Sequence, residues 1–403
     1  MKFDFPKGFL WGAATSSHQV EGGTHNNWSE WEKSPARLAE LEEKGLIKKY
    51  GRDNFFSGCA ADHYYRYRED FALARELGHN ATRISIEWSR VEPKEGKFDA
   101  AAIAHYRDVI AAIRANGMEP VVTLWHWTVP LWFRDKHEFE RCKNIHYFTR
   151  FVGKIVSEID DVKFWITLNE SEIYTSGHYL RGEKPPQKKN PFLALVVYKN
   201  LIMAHRAAYK KIKAIRSEAQ VGIAKNNIYY EAYKDRAWNV FLKRIMDWAS
   251  NFYFLNQIRD AQDFIGLNHY FHNRIDGWFG KNENKRTSDM GWELYPEAIF
   301  HVLIDLKKYH VPIYITENGL ADDKDEHRIW FIKESLMNIH RAIGEGVDVR
   351  GYLYWSLIDN FEWQNGFWPR FGLIEIDYAT QKRKARGSAL FYKKICKENT
   401  LEI

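Results

Sequence analysis

The 403-residue sequence has few cysteines and no long apolar run. Three cysteines (Cys59, Cys142 and Cys396) are too few and too scattered for a disulfide framework or a paired-cysteine metal site. No run of 18 consecutive apolar residues occurs, which argues against a transmembrane helix. We therefore expect a folded protein of a reducing compartment, the cytoplasm, without a membrane partner.

The sequence also lacks a strong excess of one charge sign. The net charge is +6, and basic residues alternate with acidic ones instead of forming a block. A nucleic-acid partner is therefore not expected, because its phosphates require a concentrated basic surface. The N-terminal stretch MKFDFPKGFLWGAATSS contains Asp4 and Pro6 where a signal peptide has a continuous apolar segment, so we expect it to be part of the folded protein.

Aromatic residues are abundant: 16 Trp, 22 Tyr and 25 Phe. A large core takes many aromatic side chains, so the number alone decides nothing. Several tryptophans, however, have polar neighbours, in NNWSEW (26–31), WHWTVPLWF (125–133) and NFEWQNGFW (360–368). Aromatic faces beside polar groups suit sugar rings, which have apolar C–H faces and a rim of hydroxyls.

Short apolar runs typical of strands recur between longer amphipathic stretches. The eight runs are residues 9–16, 81–88, 119–127, 163–170, 221–227, 263–270, 311–319 and 349–357. Residues 70–78, 101–117 and 193–216 have apolar positions three and four apart, which predicts helices between the strands. No linker or low-complexity tract divides the chain. Eight strands alternating with helices predict an α/β fold, a (β/α)8 barrel formed by residues 1–403 as one domain, with its active site at the C-terminal ends of the strands.

Two of the predicted strands end in a glutamate. VPIYITENGL (311–320) leads into Glu317, and KFWITLNES (163–171) leads into Glu170. Burying an unpaired carboxylate costs several kcal/mol, but the end of a barrel strand faces a cleft while the rest of the strand stays dry. Both glutamates are therefore candidate functional residues.

Strands four and seven lie on opposite sides of an eight-stranded ring, so the two carboxylates would face each other across its mouth. Glycosidic bond cleavage needs such a pair, one to protonate the leaving oxygen and one to meet the positively charged sugar carbon. The charge on one carboxylate would keep the other protonated. Separations of about 5–5.5 Å and about 6.5–9.5 Å distinguish retaining from inverting chemistry, and the sequence leaves both open.

Longer motifs make the prediction more specific. The sequence resembles the family 1 glycoside hydrolases, the retaining β-glucosidase and β-galactosidase group, over essentially its whole length. The motifs that carry the resemblance, in chain order, are FLWGAATSSHQVEG, RISIEWSR, TLWHWTVP, TLNES, DFIGLNHY, DMGWELYPEAI, YITENG, YWSLIDNFEWQNGF and RFGLIEIDY.

This resemblance implies a role for each motif residue. Glu317 corresponds to the family's nucleophile and Glu170 to its acid/base, with Arg83 and Tyr270 bonded to the nucleophile. A guanidinium beside Glu317 would keep that carboxylate ionised and aimed. The glycone site is implied to contain Gln19, His126, Trp127, Asn169, Trp355, Glu362 and Trp363.

The implied substrate is an unphosphorylated β-glucoside, β-galactoside or β-fucoside. Glu362 would repel a sugar phosphate. Relatives that cleave thioglucosides lack the acid/base glutamate, whereas this sequence has Glu170 at that position. The implied chemistry requires no cofactor and no metal.

The sequence also departs from the family pattern. Ser171 follows the acid/base glutamate where proline is usual, and His269 stands where tyrosine is common. The connection between strands five and six, about residues 228–262, is shorter than usual. We expect either a more open barrel mouth or a trimmed surface without kinetic effect.

Two other functions share most of this pattern. A glycan-binding pseudo-enzyme would keep the pocket without turnover, and the intact set Glu170, Glu317, Arg83 and Tyr270 argues against it. A predominantly transglycosylating enzyme would use the same catalytic residues. The preferred sugar, the aglycone and the oligomeric state stay open.

Overall fold

The computed structural model describes residues 1–277 and 279–403. Eight parallel strands close into a barrel. In chain order they are β1 (Leu10–Ala14), β2 (Ala81–Ser85), β3 (Glu119–Thr123), β4 (Phe164–Asn169), β5 (Gln220–Asn226), β6 (Phe264–Asn268), β7 (Ile313–Asn318) and β8 (Val349–Trp355).

The predicted (β/α)8 barrel is confirmed. Each of the eight apolar runs contains one barrel strand, neighbouring strands pair in chain order, and β8 pairs with β1 to complete the ring. The runs extend one to four residues past the strand ends, because the polar residues there belong to the loops at the mouth.

Helices surround the barrel. Their bounds are Ser17–Val20, Asn27–Glu32, Pro35–Glu43, Leu46–Tyr50, His63–Glu76, Trp88–Val91, Ala100–Ala115, Leu131–Asp135, Ile145–Glu158, Ser171–Thr175, Pro191–Ile215, Ala237–Met246, Tyr253–Gln257, Ala298–Leu306, Arg328–Gly344 and Gly387–Glu398. The predictions for 101–117 and 193–216 match two of them within two residues. The helix predicted at 70–78 begins earlier, at His63, and ends at Glu76.

Local capping explains where the longest helix starts. The Asn190 side chain accepts a hydrogen bond from the backbone N–H of Leu193, and Pro191 occupies the first helical position. Asparagine is a preferred N-cap, and proline fits the first turn, where its missing N–H leaves no bond unmade.

Apolar side chains fill the lower part of the barrel interior, so the polar chemistry is confined to its upper mouth. This internal layer consists of Ala81, Val121, Phe164, Ile166, Ala224, Phe264 and Leu353. Such layers make the interior of a (β/α)8 barrel a packed core and leave the C-terminal ends of the strands for the site.

Smaller sheets lie outside the barrel. Lys2–Asp4 pairs with Thr400–Glu402, and Ile374–Asp377 pairs with Lys382–Ala385. A three-stranded sheet contains Tyr229–Ala232, His272–Asp276 and Phe279–Gly280. No helix in residues 1–277 or 279–403 is both long and apolar enough to cross a membrane.

Candidate active site

A pocket of about 630 Å³ opens at the C-terminal ends of the barrel strands. Ten of the eleven site residues predicted from the sequence line it: Gln19, His126, Trp127, Asn169, Glu170, Tyr270, Glu317, Trp355, Glu362 and Trp363. The eleventh, Arg83, is fully buried and contacts Glu317. The structure thus brings the whole predicted set together.

Glu317, at the end of β7, is held at both oxygens. Arg83 Nη1 donates to Oε1, and the Tyr270 hydroxyl donates to Oε2 over 2.8 Å. Gly319 lets the strand end approach β8, because a Cβ there would lie 2.0 Å from the carbonyl oxygen of Trp355. The carboxylate therefore has one orientation, aimed into the pocket.

Arg83 links several strand ends. From β2 its Nε donates to Thr123 Oγ1 over 3.0 Å, and its Nη2 donates to Asn169 Oδ1 over 2.7 Å. A guanidinium has a rigid fork of donors, so these bonds fix the angle at which it meets Glu317.

Burial is the largest influence on Glu317 and raises its pKa to about 7. Arg83 acts in the opposite direction, the charge of Glu170 adds to the rise, and the hydrogen bond from Tyr270 lowers the pKa again. The expected guanidinium contact is present, but burial outweighs it, so Glu317 is mainly ionised only above about pH 7.

Glu170 follows β4 directly and precedes the helix Ser171–Thr175. Its Oε1 accepts hydrogen bonds from Asn226 Nδ2 over 3.2 Å and from Asn268 Nδ2 over 2.9 Å. The sequence analysis did not assign these two asparagines to the site. Both end a barrel strand, β5 and β6, and that position was the signal available in the sequence.

Asn169 joins the two glutamates into one network. Its Oδ1 accepts hydrogen bonds from Arg83 and from Asn268, the second over 3.1 Å. Its amide nitrogen therefore points the other way and donates to His126 Nε2 over 3.0 Å. Burial, and then the charges of Arg83 and Lys184, lower the pKa of His126 well below its usual value, so the ring is neutral. The ring proton is then on Nδ1, which has no partner among the described residues and is free to donate to a ligand.

Gln19 and Glu362 line the pocket side by side. The Gln19 amide donates to the carbonyl oxygen of Phe361 over 2.9 Å and lies 3.4 Å from Glu362 Oε2. Burial raises the pKa of Glu362 to about 8; Lys184 acts against this, and the charges of Glu317 and Glu170 add to it.

Aromatic rings form the walls beside these polar groups. The His126 ring lies nearly parallel to the rings of Trp355 and Trp363, with distances between ring centroids of 6.2 Å and 5.8 Å. Trp127 donates its indole N–H to the carbonyl oxygen of Asn169 over 3.0 Å, so its ring face is what it offers to a ligand. Trp127, Glu170 and Trp363 all have positive φ, a strained conformation that clusters at functional sites.

The pocket also has lining residues, apolar and polar, that were not predicted from the sequence. Its apolar lining residues are Ile173, Ile228, Phe271, Met290, Trp292, Trp368 and Phe371. Lys184 also lines the pocket and was missed. Within the described part of the chain, no group of three or more His, Cys, Asp or Glu side chains is arranged to hold a metal ion.

The comparison with protein families agrees with this geometry. The model of glycosyl hydrolase family 1 matches residues 1–258 and 254–401. Beta-glucosidase A of Acetivibrio thermocellus is 31% identical over 458 aligned positions, which cover 99% of each chain. Beta-galactosidase of Sulfolobus acidocaldarius is 29% identical over 482 positions, covering 98% of this chain and 95% of its own. Both alignments are longer than this chain, so both relatives contain segments that it lacks.

A solved structure extends the agreement to three dimensions. The beta-glycosidase from Pyrococcus horikoshii superposes with a TM-score of 0.90 at 36% identity, covering 100% of this chain and 97% of that one. The predicted family, fold class and β-glycosidase activity are thereby confirmed. The chain belongs to glycosyl hydrolase family 1.

Proposed function

We propose that this enzyme hydrolyses unphosphorylated β-glucosides, β-galactosides and β-fucosides by double displacement, with retention at the anomeric carbon. Glu317 is the nucleophile and Glu170 the acid/base. The observation that carries the proposal is the arrangement of the two glutamates, at the ends of β7 and β4 in one pocket, with Arg83 and Tyr270 aiming Glu317.

In the first step the Glu317 carboxylate attacks the anomeric carbon and the glycosidic C–O bond breaks. Glu170 gives its proton to the leaving oxygen, and the aglycone departs as an alcohol. In the second step the Glu170 carboxylate takes a proton from water while the water oxygen attacks the same carbon. The bond to Glu317 breaks, and the β-anomer of the sugar leaves.

The pocket groups suit the hydroxyls of a neutral sugar. His126 Nδ1 is an unused donor, and Asn169, which precedes the acid/base in the chain, bonds the sugar 2-hydroxyl in this proposal. A contact there strengthens as charge develops on the sugar ring. Gln19 and Glu362 then bind the far edge, while Trp355 packs against the apolar ring face.

Glu362 argues for an unphosphorylated substrate. Its carboxyl shares the pocket with Glu170 and Glu317, so a dianionic phosphate would be repelled as soon as any of the three is ionised. The two relatives, a beta-glucosidase and a beta-galactosidase, support the same substrate class.

Residues 1–403 form one domain in this proposal, shortened between β5 and β6. The two parts of the family match meet at residues 254–258, inside that connection, which supports a deletion there. The three cysteines are free thiols, in keeping with a cytoplasmic protein. The partner is a small β-glycoside or oligosaccharide, with no membrane or nucleic-acid partner.

The decisive test is hydrolysis of a panel of p-nitrophenyl β-glycosides, with the anomer formed first followed by NMR. We expect a β-anomer from the wild type. The variant Glu317→Gln should lose several orders of magnitude in kcat while still binding the sugar. An α-anomer, or near-normal turnover in the variant, would contradict the mechanism.

The same assay separates the alternatives. Binding without turnover would identify a glycan-binding pseudo-enzyme. Release of p-nitrophenol without matching free sugar, when a second sugar is present as acceptor, would identify a transglycosylase.

A further inference from the structure

Lys184 is a buried cation at the active-site pocket that the reaction scheme above does not use. It is 6% exposed and lines the pocket. Its Nζ makes no hydrogen bond or ion pair with any residue in 1–277 or 279–403; it lies 3.9 Å from the ring centroid of Trp127. Because the stem is buried and the residue lines the pocket, the ammonium is left to donate to whatever occupies the pocket, water or a ligand.

The surrounding fold holds the lysine in this place. The loop before the helix Pro191–Ile215 is tied back by backbone bonds from Glu183 N–H to the Gly177 carbonyl over 2.9 Å and from Lys188 N–H to the His178 carbonyl over 3.0 Å. Gly177 leaves room for the lysine stem, because a Cβ there would lie 3.2 Å from Lys184 Cδ. The side chain is therefore positioned by packing and not by a charged partner.

The electrostatic surroundings identify the kind of ligand. Burial lowers the pKa of Lys184 to about 8, while the charges of Glu170 and then Glu362 act in the opposite direction, so the ammonium is mainly protonated at neutral pH. An anionic ligand group would be attracted by Lys184 but repelled by those carboxylates. A hydroxyl can serve both kinds of group, because its oxygen accepts from an ammonium while its hydrogen bonds to a carboxyl oxygen.

We propose that Lys184 is a substrate-binding residue that donates a hydrogen bond to a glycone hydroxyl, which in turn donates to Glu362. The hydroxyl lies on the sugar edge remote from the anomeric carbon, at C3, C4 or C6. This inference rests on the proposed function, because it needs a β-glycoside in the pocket.

The test measures binding in the Glu317→Gln background, so that turnover does not interfere. The ligands are p-nitrophenyl β-glucoside and its 2-, 3-, 4- and 6-deoxy analogues, titrated by calorimetry. The added variants are Lys184→Met, which keeps the length but removes the charge, and Lys184→Arg. The matched control is Lys188→Met, a lysine of the same loop whose Nζ bonds Glu140 over 2.6 Å and which does not line the pocket.

We expect Lys184→Met to weaken binding of the parent glucoside roughly 10- to 100-fold, the size of a hydrogen bond to a charged group. For one of the 3-, 4- and 6-deoxy analogues, Lys184→Met should weaken binding by less than about 3-fold, because the hydroxyl that Lys184 binds is already absent. For the 2-deoxy analogue the variant should weaken binding as much as it does for the parent glucoside. Lys184→Arg should restore part of the affinity, and Lys188→Met should leave it unchanged. The melting temperature of Lys184→Met should not fall, because the variant removes an unpaired buried charge.

Unchanged affinity in Lys184→Met, or an equal loss on all deoxy analogues, would overturn the inference while leaving the proposed function intact. A loss that disappears with methyl β-glucoside would also overturn it, since Lys184 would then bind the aglycone. Absence of any glycoside binding in the Glu317→Gln background would overturn the proposed function together with the inference.

Discussion

Each oxygen of Glu317 has its own donor, Arg83 on one side and Tyr270 on the other. As the proposed nucleophile, Glu317 must be ionised to attack, yet burial raises the pKa of its carboxyl to about 7. Protonation of Glu317 as the pH falls through this value removes the attacking form. We therefore expect wild-type kcat/KM to fall on the acid side of about pH 7.

The variant Tyr270→Phe should move this acid limb to higher pH. The Tyr270 hydroxyl bonds to the ionised form of Glu317 and lowers its pKa, so its loss favours the protonated form. A hydrogen bond to a charged group contributes about 1.5–3 kcal/mol, which corresponds to a shift of about one pH unit or more. The pH profiles of kcat/KM for variant and wild type provide the measurement.

Tyr209→Phe is a suitable control for that comparison. Tyr209 also donates to a carboxylate, Asp263 Oδ1 at 3.1 Å, but on the outside of the barrel. Its profile should coincide with that of the wild type. An unshifted acid limb in Tyr270→Phe would mean that another group sets it.

The Glu170→Gln variant should depend strongly on the leaving group, because an amide cannot deliver a proton. We expect kcat/KM for a 2,4-dinitrophenyl β-glucoside to fall by less than about tenfold, and that for an alkyl β-glucoside by roughly 10²–10⁴-fold. Initial rates on the two substrates test this. Equal losses on both would argue against Glu170 as the acid.

At the scale of the secondary-structure elements, a buried ion pair lies next to the active site and joins three elements that carry it. Lys225 on β5 lies 3.1 Å from Glu172, two residues past Glu170, and also donates to the carbonyl oxygen of Ser250 over 2.7 Å. Glu172 Oε1 in turn accepts from the backbone N–H of Asn226 over 2.7 Å. The pair thus connects the helix after β4, the end of β5 and the β5–β6 connection.

Removing one partner of this pair should destabilise the protein. Lys225→Met leaves Glu172 buried without its cation, which we expect to cost about 3–5 kcal/mol. The double variant Lys225→Met/Glu172→Met should recover part of the loss, because it leaves no unpaired buried charge, although the backbone N–H of Asn226 loses its acceptor. Melting temperatures from calorimetry follow both changes.

Lys394→Met serves as the comparison, since Lys394 pairs with Glu402 at 3.1 Å and both side chains are exposed. Its effect should stay below about 1 kcal/mol. A double variant as unstable as Lys225→Met would show that the charges themselves stabilise this region.

The sequence predicted the strands better than the helix starts, for a physical reason. A buried parallel strand is a continuous apolar run, and each of the eight runs was visible. The helix His63–Glu76 begins HYYRYRED, whose aromatic and charged residues lack an apolar period over the first turns, so its start was missed.

The site residues that could be predicted from the sequence pattern are those at the C-terminal ends of the barrel strands. Glu170 and Glu317 share that position, and the resemblance supplied the other pocket residues. Lys184 could not be predicted, because its place depends on how a loop is tied to the preceding helical turn. Lysines in loops are usually solvated, and nothing in the local sequence distinguishes this one.

At the scale of the whole molecule, the two chain ends meet beneath the barrel. Lys2–Asp4 and Thr400–Glu402 form an antiparallel pair, and the Met1 amino group donates to the Ile403 carbonyl oxygen over 2.6 Å. The Trp11 indole on β1 donates to Asn399 over 2.8 Å, so the C-terminal segment also contacts the barrel wall. The ends therefore close the structure on the side away from the pocket.

This closure predicts that a circular permutant will fold. Joining Ile403 to Met1 through a short glycine-rich linker and opening the chain between Asp235 and Arg236, both exposed, leaves the barrel strands and the pocket residues intact. We expect kcat/KM within about tenfold of the wild type and a single calorimetric unfolding transition, since residues 1–403 are proposed to be one domain. A permutant opened between Glu170 and Ser171 should be inactive, because it cuts the strand–helix junction that positions Glu170, the proposed acid/base. Two separate transitions in the active permutant would contradict the one-domain proposal.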